Sequence, residues 1–335
     1  MSIRRWAVVS AAIALIGALG AVAPTGDAMA ATPARNVAAT APALPLPLPP
    51  LPPLGGGFDP SPPGSNNWHC RPGHRHPEPI VLVHGLSANQ SANWSYIAPR
   101  LADEGYCVFS LTYGRNPLAP PPLSEIGGLR RMEHSARELG DFIDRVRHAT
   151  HADKVDIVGH SEGSLMPNYY VKFLGGDRYV HRYVGMTPLW KGTRLYGVAD
   201  LNHLAGQFGF SPVLGALLNP LCESCRQFLH GSPFLRKMNS DGGPAVPGIT
   251  YTMIMTSHDE LVTPYTSGRM PQRDGAKVTN IVLQDRCPND FAEHVAVAFD
   301  PVTLQYIENA LDPDHARPVR CESVGPDSPM ARGGF

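Results

Sequence analysis

The sequence predicts an α/β architecture: a mainly parallel sheet with helices on both faces. Two kinds of segment carry that expectation. Short continuous apolar runs have the length and character of strands buried on both faces, and longer stretches repeat apolar residues at helical spacing. A third observation is how the two are joined. Val155-Asp156-Ile157-Val158 runs directly into Gly159-His160-Ser161-Glu162-Gly163 and then into a helical stretch, a strand–turn–helix order.

In chain order, Ile80-Val81-Leu82-Val83 reads as the first strand, and Ala92 to Leu101 as one helix. Cys107 to Leu111 is the next strand. Leu139, Phe142, Ile143 and Val146 fall at i, i+3, i+4 and i+7, the buried stripe of a helix. After the strand at Val155, Leu165 to Leu174 reads as a helix in which Pro167 is confined to the first turn. Tyr179 to Met186, Ile249 to Met255 and Val278 to Leu283 are three further strands. Asp300-Pro301 is the signature of a capped helix start.

Composition bounds the rest. A chain of 335 residues that is 43% apolar can build a large core. Twenty-eight basic residues against 29 acidic ones give a net charge of -1, which offers no electrostatic basis for binding nucleic acid. At the N-terminus, Arg4 and Arg5 precede an apolar stretch and then Ala28-Met29-Ala30, the pattern of an export signal with its cleavage site. Residues 1–30 are therefore expected to be a signal peptide, leaving no membrane span and placing the mature chain outside the cell or at the cell wall. Residues 31–67, rich in Ala, Pro and Gly, read as a disordered spacer. The folded domain is expected over 68–313, and 314–335 as a tail. Six cysteines suit an oxidising compartment, with Cys222 and Cys225 close enough in sequence for a local clasp.

The Gly-His-Ser-Glu-Gly run matches the nucleophile elbow, whose tight turn lifts a serine above the sheet and leaves no room for a Cβ at the flanking positions. Ser161 is the expected nucleophile. In such sites the acid and then the base follow along the chain. His294 lies after the last strand and before the helix opened by Pro301, which marks it as the base among the downstream histidines His181, His203, His230, His258, His294 and His315. Asp259, just past the carboxyl end of a strand, is the expected acid, with Glu260 as its rival. Asp285 and Asp290 share the connection that carries His294. The backbone N–H groups of Leu86 and Glu162 are expected to form the oxyanion hole, with His84 a packing and hydrogen-bonding residue.

Taken together, Val83-His84-Gly85, Leu111-Thr112-Tyr113-Gly114, the elbow, Phe173-Leu174-Gly175-Gly176, Tyr265 after Asp259-Glu260-Leu261-Val262-Thr263-Pro264, and Leu283-Gln284-Asp285-Arg286-Cys287-Pro288 resemble the secreted actinobacterial class 2 lipases, α/β hydrolases acting on acyl glycerol esters. The similarity covers about Trp68 to Pro313. It implies the same Ser161, Asp259 and His294, and the disulfides Cys70–Cys107, Cys222–Cys225 and Cys287–Cys321, the last tethering the tail. Leu189-Trp190-Lys191-Gly192-Thr193 departs from the small-polar-His-Gly-Thr stretch of many relatives, which bears on substrate preference.

The expected protein is thus an α/β-hydrolase-fold lipase or carboxylesterase with no cofactor and no metal. Its substrate would be a lipid or small ester, taken in solution or at a lipid–water interface. An acyltransferase on the same site and a catalytically inactive binding protein are the alternatives. The apolar connection from Thr187 to Pro247 is expected to form a lid or acyl groove, through residues such as Leu189, Trp190, Leu195, Leu201, Leu204, Phe208, Phe210, Val213, Leu214, Leu217, Leu218, Phe228, Leu229, Phe234 and Leu235.

Overall fold

A computed structural model describes residues 59–118, 123–194 and 222–321. Among these, six strands form one all-parallel sheet: β1 (Ile80–Val83), β2 (Val108–Leu111), β3 (Val155–His160), β4 (Val180–Met186), β5 (Thr250–Met255) and β6 (Lys277–Val282), in the order β2-β1-β3-β4-β5-β6. Alternate residues of β1 feed two cores. Val81 and Val83 face a cluster with Leu139, Ile143, Tyr169 and Tyr170, whereas Ile80 and Leu82 face one with Ile97, Leu101, Val302 and Ile307. Burial on both faces is why β1 reads as an unbroken apolar run.

Among the described residues the α-helices are α1 (Gln90–Trp94), α2 (Ile97–Asp103), α3 (Met132–Thr150), α4 (Glu162–Leu165), α5 (Pro167–Phe173), α6 (Pro233–Met238), α7 (Leu283–Arg286) and α8 (Pro301–Leu311). Pro167 begins α5, and the Asp300 carboxylate caps α8 by accepting from the N–H groups of Val302 (3.0 Å) and Thr303 (2.8 Å), as expected. The helix expected from Ala92 to Leu101 is instead two. Pro99 gives the reason: its ring would strike the Ser95 carbonyl four residues back in a continuous helix.

A residue ahead of Trp68 also joins the sheet. Asn66 lies along the free edge of β2, donating from its backbone N–H to the Val108 carbonyl (2.9 Å) and from Nδ2 to the Ser110 carbonyl (2.9 Å). Its Oδ1 accepts from the Ser110 N–H (2.9 Å). One asparagine thereby satisfies edge groups that an open sheet otherwise leaves unpaired.

Three disulfides join Cys70 to Cys107, Cys222 to Cys225 and Cys287 to Cys321. In the connection after β4, Leu189, Trp190, Phe228, Phe234 and Leu235 are buried in the core, while Leu229 is exposed. Leu195, Leu201, Leu204, Phe208, Phe210, Val213, Leu214, Leu217 and Leu218 lie outside the described residues, as do the expected signal, most of the spacer and the end of the tail. No helix among the described residues is long and apolar enough to cross a membrane.

Candidate active site

The chain turns to β2 on one side of β1 and to β3 on the other, so β1 and β3 meet at the switch point of the sheet. Loops at the carboxyl ends of such strands form a cleft. Ser161 sits there, directly after β3, with φ 54° and ψ -120°, a strained backbone for a residue with a side chain. The flanking glycines are required by contact. A Cβ on Gly159 would lie 1.9 Å from the Gly163 carbonyl oxygen, and one on Gly163 would lie 2.1 Å from that of Val83. The half-buried Ser161 hydroxyl is 2.8 Å from His294 Nε2. His294 Nδ1 is 2.9 Å and 3.1 Å from the two Asp259 oxygens. Asp259 Oδ1 also accepts from the N–H groups of Leu261 (3.0 Å) and Val262 (2.7 Å), which hold the carboxylate facing the imidazole.

Burial disfavours the charged form of His294, but the Asp259 carboxylate, its hydrogen bond and Glu260 outweigh this and leave the imidazole more basic than usual. The structure also separates Glu260 from Asp259. Glu260 Oε2 accepts from the backbone N–H of His294 (3.1 Å), while the ring faces Asp259. On the other side, His160 Nε2 lies 2.9 Å from the His294 carbonyl and Nδ1 lies 2.9 Å from Asn93 Oδ1. Burial and the neighbouring His294 push His160 down to about 3, so it is a neutral ring. His294 is therefore gripped through both its backbone groups. Neither contact was anticipated from the sequence, although both residues adjoin expected catalytic positions. Asp285 is exposed; Asp290 is buried and accepts from the Ala292 N–H (2.9 Å). His230, His258 and His315 are exposed, and His203 lies outside the described residues.

The loop after β1 closes the other side of the cleft. A Cβ on Gly85 would come within 3.2 Å of the Ser161 Cβ, so this loop lies against the serine. The backbone N–H groups of Leu86 and Glu162 have no acceptor among the described residues, the condition an oxyanion would meet. His84 is fully buried. Its Nδ1 lies 2.7 Å from the Gly85 carbonyl, and its Nε2 accepts from the Tyr113 N–H (3.3 Å). Burial holds it down to about 4, and its neutral ring stacks on Tyr113 at 4.4 Å.

Elsewhere, Glu78, Asp156 and His181 cluster at the amino ends of the strands, the opposite side of the sheet, with ligating atoms within 4.8 Å of one another. Hydrogen bonds to Asp156 and Glu78 push His181 up to about 9, so a protonated ring already balances these carboxylates.

Comparison with known proteins agrees with this picture. The family model "Lipase (class 2)" matches residues 77–307. Aspergillus fumigatus lipase B superposes with a TM-score of 0.56 at 17% identity, over 78% of this chain and 57% of that one. The chain thus spans little more than half of the fungal enzyme. The mature lipase BlEst2 of Bacillus licheniformis superposes with a TM-score of 0.51 at 16% identity, over 72% of this chain and 94% of that one. At these identities the likeness is one of fold. A search of curated proteins returns no match. The class 2 model spans well over half of the sequence, and the chain belongs to that family of serine ester hydrolases.

Proposed function

We propose that this protein is a secreted lipase or carboxylesterase that cleaves acyl esters through an acyl-enzyme, with Ser161 as nucleophile, His294 as base and Asp259 as acid. The observation that carries the reading is the unbroken contact from the Ser161 hydroxyl through both nitrogens of His294 to Asp259. His294 Nε2 takes the proton as Ser161 Oγ attacks the ester carbonyl, and Asp259 stabilises the imidazolium. The N–H groups of Leu86 and Glu162 receive the oxyanion. The imidazolium then protonates the departing alcohol, and water repeats the sequence to release the acid.

Lipid esters of medium or long chain are the proposed substrates. Family membership supports this, together with the apolar sequence of the connection after β4, since each methylene taken out of water contributes about 0.8 kcal/mol. Export is supported by the N-terminal sequence and is compatible with three disulfides. The test is a Ser161→Ala variant, a fluorophosphonate label and a series of p-nitrophenyl esters. Loss of hydrolysis with the fold intact, labelling at Ser161, and kcat/KM rising from acetate to octanoate are expected. An active Ser161→Ala protein would refute the site. A steady fall along the series, with no action on emulsified triglyceride, would reduce the reading to a small-ester esterase.

A further inference from the structure

Glu162 contributes more to the site than a backbone N–H. Its side chain is 1% exposed, one residue from the nucleophile, and turned inward among groups that hold the loop after β1. The Tyr113 hydroxyl lies 2.9 Å from the His84 carbonyl and 3.3 Å from Glu162 Oε1. A hydroxyl carries one proton, and the shorter contact to a carbonyl claims it. Ser224, the other hydroxyl beside Glu162, donates to the Gly128 carbonyl at 2.5 Å. Both protons are thus committed to carbonyls, and at its one hydrogen-bonding contact, Oε1 with the Tyr113 hydroxyl, Glu162 meets an oxygen free to accept, so the carboxyl is suited to donate there. Glu162 Oε2 meets no partner of hydrogen-bonding geometry, which a neutral acid tolerates far better than a carboxylate.

The two carbonyls served by these hydroxyls lie on the loops that frame the oxyanion site. His84 precedes Gly85-Leu86. Gly128 packs against Leu86, and its neighbour Gly127 is paired with the same loop through Ser87 N–H to Gly127 O (3.1 Å) and Gly127 N–H to Ala88 O (2.8 Å). We propose that Glu162 is a positioning residue which, as a neutral acid donating to Tyr113, fixes the His84 carbonyl and hence the Leu86 N–H, and that loss of its proton ends activity at alkaline pH. Once ionised, Glu162 competes as an acceptor for the Tyr113 proton and draws it from the His84 carbonyl.

The surroundings agree. Burial raises Glu162 to about 8, against the lowering effect of Ser224 and Tyr113. The facing ionisable groups titrate elsewhere: burial and then Glu162 push Tyr113 well above 10.0, and His84 is already neutral. Arg115 acts on His84, and Glu138, which accepts from the Gly114 N–H (2.9 Å), acts on Tyr113 along with Tyr183. His294 with Asp259 and Glu260 governs the acid side, since it is active as the neutral base.

This inference rests on the proposed Ser161 site. The experiment measures kcat/KM for a soluble p-nitrophenyl ester from pH 6 to 10 in the wild type, Glu162→Gln and Glu162→Met, with reversibility checked by return to neutral pH. Wild-type kcat/KM is expected to fall about tenfold for each pH unit above 8. Both variants, scaled to their own maxima, should lack that fall because neither can ionise. The amide should also keep a higher maximum than the thioether, because it still donates to Tyr113. As an independent readout, the Tm of Glu162→Gln should gain on the wild type as pH rises from 6 to 9, because only the wild type must then bury a charge or bind a proton. A wild-type alkaline fall retained in either variant overturns the inference. If Ser161→Ala is inactive in the same assay, that outcome leaves the triad standing; an active Ser161→Ala overturns the reading beneath both.

Discussion

Replacing Cys321 by alanine tests how the loop carrying His294 is held. Cys321 is exposed and Cys287 is 1% exposed, so this substitution opens the crosslink while leaving the buried sulfur in place. The bridge closes 34 residues, a span that contains His294 and all of α8. Chain-entropy reasoning assigns a loop of that length about 3.8 kcal/mol of stabilisation, exerted through the unfolded state. For a domain of this size, each kcal/mol shifts the midpoint by about 2 °C, so Tm should fall by about 8 °C. Within the folded protein His294 keeps its contacts with Asp259, Glu260 and His160, so activity well below the transition should survive. Differential scanning calorimetry with esterase assays at matched temperatures measures both, and thiol titration verifies one free sulfur. A Tm change below about 2 °C would refute the entropic reasoning. Loss of activity with an unchanged Tm would show that the bridge acts on the native loop instead.

Asp259→Asn should lower kcat by about 10³–10⁴-fold, whereas Glu260→Gln, which keeps an acceptor for the His294 N–H, should cost less than about tenfold; steady-state kinetics of the two variants separates acid from clamp. Activity should rise through the titration of His294, and because Asp259 and Glu260 make it more basic, the midpoint of the acid limb of kcat/KM should lie above 6.5; a midpoint below that value would contradict the net effect of those neighbours. The same shift means that His294 stabilises the fold most at low pH, and that this contribution is lost as pH rises through its folded value. Gly163→Ala should reduce activity more than about 100-fold, because the new methyl meets the Val83 and His84 carbonyl oxygens at 2.1 Å and 2.4 Å; circular dichroism and turnover together distinguish a displaced elbow from an unfolded chain.

β1 was legible because burial on both faces leaves an apolar run that little else produces at that length, whereas the edge strand β6 carries exposed polar residues among its apolar ones. Ser161 was legible because its turn demands glycine at fixed offsets, and His294 and Asp259 because chain order and strand ends narrow the choice. What escaped the sequence is polar and tertiary. Glu260 and His160 grip the backbone of a residue far away in sequence, and the inward face of Glu162 depends on where two hydroxyls spend their protons; no periodicity encodes either. The break before α2 was visible in Pro99, but the apolar pattern runs across it.

Asn66 has a bearing on how this protein behaves in company. A parallel sheet ends in a row of amides and carbonyls that will accept any extended strand, including one from a second copy. At the β2 border that row is engaged by a single side chain and its own amide, so the property at stake there is colloidal. An Asn66→Ala chain would keep Ser161, His294 and Asp259 in place and gain a sticky margin, visible as light scattering that grows with concentration.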